Sequence, residues 1–168
     1  KDKKIAVIGT GASAIQFVPR IAENASKVEL FQRSAPWILP KPDRKIFSIE
    51  KALYKYLPGW RLAHRASLYW VNEISLHGFL KEKSWIRSFA EWAATKHIHH
   101  HIKDETLRKQ LTPDFRFGCK RALLSNEYYP ALARDNVDVI DGGIERITET
   151  GIIDKNGKAH EADVIIWG

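Results

Sequence analysis

Gly9, Gly11 and Ala14 stand in G-x-G-x-x-A spacing directly after the apolar run Ile5-Ala6-Val7-Ile8. A buried parallel strand reads as such a run, and a glycine allows the sharp turn that leaves it. Gly11 puts no side chain between the backbone and a pyrophosphate, and Ala14 is small enough for a following helix to pack close on the strand. Backbone N–H groups at that helix start, aided by the helix dipole, then point at the phosphates. The spacing alone is a weak signal. Here it lies between a strand pattern and a segment with Ile15, Val18, Ile21 and Ala22 at helical spacing, the context of a dinucleotide-binding turn. The candidate contacts are Gly9, Thr10, Gly11, Ala12, Ser13 and Ala14, with Gln16 in the first helical turn.

The next apolar strand, Val28 to Phe31, ends in Gln32-Arg33-Ser34. Dinucleotide folds that take NAD place Asp or Glu here, about twenty residues past the glycines, to bind the ribose 2′-OH. A carboxylate would repel a 2′-phosphate, whereas the Arg33 guanidinium can pair with one through two hydrogen bonds. NADP(H) is therefore expected ahead of NAD(H) and FAD, with Arg33 and Ser34 as its ribose-end contacts.

Elements must hold these residues in place. The 168 residues are 44% hydrophobic, enough for the core of one domain. A proline-punctuated loop, Ala35 to Pro42, should run extended rather than form a central strand and should frame one side of the cofactor cleft. A helical insertion is expected over about 46–112, too long for a simple crossover, with breaks at Pro58-Gly59 and Gly78. Its apolar stripes are Leu53, Tyr56 and Leu57; Leu62, Ala66, Tyr69 and Trp70; and Ile86, Phe89, Trp92 and Ala93. Such stripes should pack as core or against a neighbouring domain, ahead of a protein partner or a membrane surface. Strand patterns return at Val137 to Ile140, then as a short antiparallel meander between Ile144 and Lys158, and as a buried strand from Asp163 to Trp167. The expected fold is α/β: a Rossmann-like, doubly wound parallel sheet with a small meander and a helical insertion.

Other chemistries are less well supported. The one cysteine, Cys119, excludes an internal disulfide or multi-cysteine zinc site and has no base near it in sequence to make it a nucleophile. His97 and His101 are one helical turn apart, but no carboxylate or thiol in register completes a metal set, so a solvated helix face is expected and no metal. The net charge of +7 suits an anionic ligand; the basic residues are scattered and carry no nucleic-acid motif, so no nucleic acid is expected. Without a signal sequence or an apolar run of about eighteen residues, the chain is expected to be cytoplasmic and, from its abrupt ends, an excised domain.

Three further segments resemble one family. Phe31-Gln32-Arg33-Ser34-Ala35-Pro36-Trp37, Gly118-Cys119-Lys120-Arg121 followed by Tyr128-Tyr129, and Asp135-Asn136-Val137 are similar to the NADPH domain of type I Baeyer–Villiger monooxygenases, within the flavin-containing monooxygenase class. The final Asp163 to Gly168 resembles the strand that leads back to that family's FAD domain. The resemblance implies that residues 1–168 are the NADP(H)-binding domain of a parent that uses NADPH and FAD to insert oxygen beside the carbonyl of a small ketone. It also implies that Lys120 helps hold the 2′-phosphate and that Arg121 is catalytic, stabilising the oxygen-bearing flavin and the carbonyl adduct. A fixed guanidinium suits that task, because it keeps its proton while negative charge develops. Tyr128 and Tyr129 are expected to pack. The FAD-binding glycine turn has no counterpart in these residues, so the isolated chain is expected to be inactive, with FAD on another domain of the same parent. The competing readings are the pyridine-nucleotide domain of an N- or S-oxidising flavin monooxygenase or of a flavin disulfide-type reductase, and a non-enzymatic nucleotide-sensing module.

Overall fold

The computed structural model describes residues 1–80 and 84–168. Strands β1 (Lys4–Ile8), β2 (Lys27–Gln32), β5 (Val137–Asp141) and β9 (Val164–Trp167) form one parallel sheet in the order β5-β2-β1-β9. The apolar runs seen in sequence set the register, which places Ile5 opposite both Val28 and Val164. Between β1 and β2 lies α1 (Ala14–Ala22), whose face of Ala14, Ile15, Val18 and Ala22 buries against Val7, Val28 and Leu30.

Most of the rest of that core comes from two helices of the long excursion after β2 and from one beyond it. These are α4 (Trp85–His101), α5 (Glu105–Leu111) and α6 (Tyr128–Leu132), which contribute Ile98, Leu111 and the pair Tyr128 and Tyr129. Both tyrosines are buried in this core, and burial pushes their hydroxyls far above their ordinary acidity range. A short parallel pair, β3 (Ile38–Leu39) with β4 (Leu123–Leu124), clips the two ends of the excursion together.

The opposite face of the sheet is covered by the antiparallel meander β6 (Ile144–Thr148), β7 (Gly151–Asp154) and β8 (Ala159–Glu161), through a cluster of Ala6, Phe31 and Ile152. A buried polar set accompanies it. The His160 ring stands edge-on to Phe31, with Nδ1 3.2 Å from Glu29 and Nε2 3.3 Å from Asp154. Helix, sheet and meander therefore form three layers, as the sequence pattern requires.

Three expectations are corrected. Gly78 does not break a helix: α3 (Trp60–Leu80) runs through it, after α2 (Ser48–Tyr56) and the break at Pro58-Gly59. A Cβ there would lie 2.6 Å from the Ile86 Cδ1, so that glycine lets α3 and α4 cross closely. The large apolar residues of the excursion are not core within this chain: Tyr56 and Leu62 are each 72% exposed and Trp70 is 58% exposed. The face that α4 buries is instead Ala90, Ala94, His97 and Ile98, and it is the small pair Ala90 and Ala94 that packs closely on Trp37 and Phe117. His97 is not solvated either. Its Nε2–H donates to the Ser125 carbonyl at 2.9 Å, and its ring packs on Tyr129.

Candidate functional site

The candidate residues other than Gln16 gather at the carboxyl end of the parallel strands. β1 ends at Ile8, and Gly9 leaves it with φ +107°, a conformation that favours glycine. The Gly9 N–H bonds the Phe31 carbonyl (3.0 Å) and the Gly168 N–H bonds the Ile8 carbonyl (2.9 Å), which sews the turn to both neighbouring strands. The fold itself demands this glycine, since a Cβ on Gly9 would strike the Gly168 carbonyl oxygen. A Cβ on Gly168 would in turn stand 2.9 Å from that of Ala14, so the small residue at 14 allows the close packing of helix on strand end.

Gly11 behaves differently. A Cβ there would meet nothing nearer than 3.6 Å, an ordinary contact, and its φ is not in the left-handed region. Packing within the chain does not require glycine at 11, whereas close approach of a ligand to the backbone would. At the start of α1, Ser13 makes no side-chain capping bond and the first turn carries no acidic residue. The open N–H groups and the positive end of the helix dipole are thus left for an anion.

A loop from β2 completes one wall. Thr10 Oγ1 donates to the Ser34 carbonyl (3.2 Å), and Lys120 Nζ donates to Ser34 Oγ (3.0 Å) while lying 4.3 Å from the centre of the Phe115 ring. A cavity of about 350 Å³ opens there, lined by Thr10, Gly11, Ala12, Arg33, Lys120 and Arg121 among others, with no acidic side chain in its lining. Arg33 and Arg121 are exposed and have no hydrogen bond or ion pair among the described residues. A second cavity of about 420 Å³ lies across Thr10 and Arg33, walled by Phe31, Gly142, Gly143 and Lys155. An elongated anionic ligand with an aromatic end could run from one to the other past Arg33.

The structure thus brings together Gly9, Thr10, Gly11, Ala12, Arg33, Ser34, Lys120 and Arg121 around the two adjoining cavities. Ser13 is exposed on the same turn, and Ala14 is buried behind it. Gln16 does not join them. It faces a separate groove beside Lys41, Asn126 and Glu127, because one helical turn rotates it away from the cavity. Gln32 is a fastener: its buried Nε2 donates to Asp141 Oδ1 (2.6 Å) and the Gln110 carbonyl (2.9 Å), tying the end of β2 to β5 and α5. Sequence reasoning missed Gly142, Gly143 and Lys155, although two glycines directly after an apolar strand carry the same turn signal as Gly9. Cys119 is free and exposed, and among the described residues no cluster of His, Cys, Asp or Glu could hold a metal. No helix among the described residues is long and apolar enough to cross a membrane.

No protein-family model matches the chain. It is 46% identical over all 168 residues to a Baeyer–Villiger monooxygenase of Pseudomonas aeruginosa, of which it covers 32%. It is 42% identical over 166 residues to a Baeyer–Villiger monooxygenase of Streptomyces coelicolor, again covering 32% of that protein. The chain therefore spans about one third of the length of these curated relatives. Among solved structures, an oxidised steroid monooxygenase bound to NADP superposes with a TM-score of 0.79 at 24% identity over 99% of this chain and 38% of the other. A polycyclic ketone monooxygenase from Thermothelomyces thermophila gives 0.82 at 20% identity over 99% of this chain and 32% of the other. At that identity the two structures bear on the fold alone, and they bear out the doubly wound α/β arrangement.

Proposed function

From the premise that this chain is a domain of the Baeyer–Villiger monooxygenase type, we propose that it binds NADP(H) for a parent protein that uses FAD to insert an oxygen atom beside the carbonyl of a small ketone. The observation that carries the proposal is the acid-free cavity at the glycine turn, with Arg33, Lys120 and Arg121 around an uncapped helix start.

In this reading the N–H groups of the turn from Gly11 to Ser13 bind the pyrophosphate, and Gly11 lets it reach them. Arg33 and Lys120 take the 2′-phosphate from two sides, with Ser34 between them through its bond to Lys120. The adenine end lies against Phe31 and the Gly142-Gly143 turn, in the second cavity. Arg121, next to Lys120, keeps a guanidinium proton donor available to negative charge that develops on the substrate's carbonyl oxygen. Bound FAD would supply the oxygen-transfer chemistry; one G-x-G-x-x-A turn is present here and is assigned to the nicotinamide cofactor, so FAD is assigned to residues outside this chain.

The test is calorimetric titration of NADP+ and NAD+ into the full-length protein and its Arg33→Ala variant at matched salt, followed by oxidation assays on ketones, amines and sulfides. A charge-assisted contact contributes about 1.5–3 kcal/mol, so Arg33→Ala should weaken NADP+ by roughly 10- to 150-fold and leave NAD+ nearly unchanged. Lys120 shares the phosphate, which places the loss toward the low end. Equal losses for both nucleotides would overturn the 2′-phosphate assignment, and turnover of amines or sulfides without ketones would overturn the proposed reaction.

A further inference from the structure

The stretch from Thr112 to Ala122, which carries Lys120 and Arg121, belongs to no helix or strand. Its path is fixed by groups that reach in from other elements. The Trp37 Nε1–H donates to the Phe115 carbonyl at 2.8 Å. Two residues on, the Phe117 N–H donates to Glu91 Oε1, on α4, at 3.1 Å. The Phe117 ring is buried against Trp37 and Phe79, with centroids 5.8 and 5.0 Å away. From there the Cys119 N–H closes a turn onto the Arg116 carbonyl (3.2 Å), with Gly118 at φ +94°, and the chain passes into Lys120-Arg121. On the far side the Leu123 N–H bonds the Trp37 carbonyl at 2.8 Å, so Trp37 holds the stretch at both ends.

Resting on the reading that Lys120 and Arg121 face bound NADP(H), we infer that Glu91 and Trp37 are positioning residues that set where those two cations stand. Each residue outside a ladder keeps backbone freedom whose ordering costs free energy. A loop ordered only by its ligand would draw that cost from the binding energy. The Glu91 carboxylate removes part of it beforehand. It accepts a charge-assisted bond from the backbone of a buried residue, it is carried on a helix docked through Ala90 and Ala94, and Arg87 Nε stands 4.0 Å from the same oxygen. Trp37 acts likewise from the loop after β2, the same loop that bears Arg33 and Ser34. The two halves of the proposed phosphate site are thus held in one frame.

The experiment uses the full-length protein and calorimetric titration with NADP+ and with NAD+. Glu91→Ala should weaken NADP+ by about tenfold and lower the NADP+ to NAD+ affinity ratio, since one buried backbone donor loses its acceptor. Glu91→Gln keeps an acceptor oxygen and should return the ratio to within about threefold of wild type. Trp37→Phe keeps an aromatic ring at the position, removes the indole donor together with part of the buried ring, and should lower the ratio in the same direction. With Lys120→Ala and Arg121→Ala already in place, Glu91→Ala should change the ratio no further, because the groups that it positions are gone.

A ratio unchanged by both Glu91→Ala and Trp37→Phe overturns the inference, as does a loss that Gln fails to recover or that persists without the two cations. Should Glu91→Ala not fold, Trp37→Phe decides by the same ratio. If Lys120→Ala with Arg121→Ala leaves the ratio at its wild-type value, it is the reading of Lys120 as a 2′-phosphate contact that has failed. That result is distinct from a failure of Glu91 and Trp37 to position it.

Discussion

Gly9 and Gly11 sit two residues apart in one turn, yet alanine at each should have opposite consequences. At Gly9 the backbone has φ +107° and a new Cβ would strike the Gly168 carbonyl oxygen. That oxygen cannot retreat without disturbing the Gly168 N–H bond to Ile8 (2.9 Å), which continues the pairing of β1 with β9. Holding alanine in such a conformation costs about 1–3 kcal/mol before the clash is counted. For a unit of this size each kcal/mol moves Tm by about 2–4 °C, so Gly9→Ala should lower Tm by at least several degrees. At Gly11 the nearest atom to a new Cβ is 3.6 Å away, and the φ is one that alanine adopts. The variant restricts the unfolded chain, which stabilises by about 0.4–1 kcal/mol, so its Tm should be unchanged or slightly higher. Its methyl group, however, stands where the pyrophosphate is proposed to meet the backbone. Loss of one charge-assisted N–H contact, about 1.5–3 kcal/mol, corresponds to roughly 10- to 150-fold weaker NADP+. Thermal unfolding without nucleotide, then calorimetry with NADP+, separates the two effects in the same samples. Wild-type affinity in Gly11→Ala, or a stability loss equal to that of Gly9→Ala, would refute the division of labour.

Asn136 offers a control for the family-like segments, since its Nδ2 donates to the Ala22 and Ala25 carbonyls (2.9 and 3.0 Å) at the end of α1. Asn136→Ala should therefore cost about 1–2 kcal/mol of stability while NADP+ affinity stays at the wild-type value; a selective loss of affinity would mean that this residue reaches the ligand. The meander should respond to pH through Asp154. Burial works to raise its pKa, but the Lys158 and Asn156 N–H groups and the His160 ring outweigh it and hold the carboxyl below its ordinary range. A carboxyl whose folded value is depressed contributes fully above its unfolded value, near about 3.9, and loses that contribution as pH falls through the folded value. Hydrogen exchange of the β7 and β8 amides, corrected for intrinsic rates, should show wild-type protection constant from neutral pH to about 4 and falling below. In Asp154→Asn it should be lower and flat, and a surviving acid-side fall would refute the assignment to Asp154.

The sequence by itself determined what depends on neighbours along the chain. A strand, a glycine turn and a helix start are local events, so residues 5–22 could be read as a phosphate-binding unit, and the arginine at the end of the next strand could be read by its spacing as the proposed ribose contact. Alternating and continuous apolar runs likewise indicated the parallel sheet and the meander, because side-chain period follows directly from backbone geometry. What the sequence could not determine is which of several equivalent helix faces meets the core. Residues 85–101 offer both an aromatic stripe and an alanine stripe, and only the close approach of Trp37 and Phe117 selects the alanines. His97 is buried rather than solvated for the same reason, since its partner Ser125 lies 28 positions away. Gln16 is two residues from the turn in sequence but a rotated helical face from the cavity in space, and Lys155 is 122 residues beyond Arg33 yet lines the same cavity. Glu91 carried no motif, and Trp37 stood only at the end of a family-like segment with no role attached, because a backbone group that needs a partner leaves no mark on the sequence of the residue that supplies one. Such contacts come from closing long loops around a packed core, and tertiary structure alone decides them.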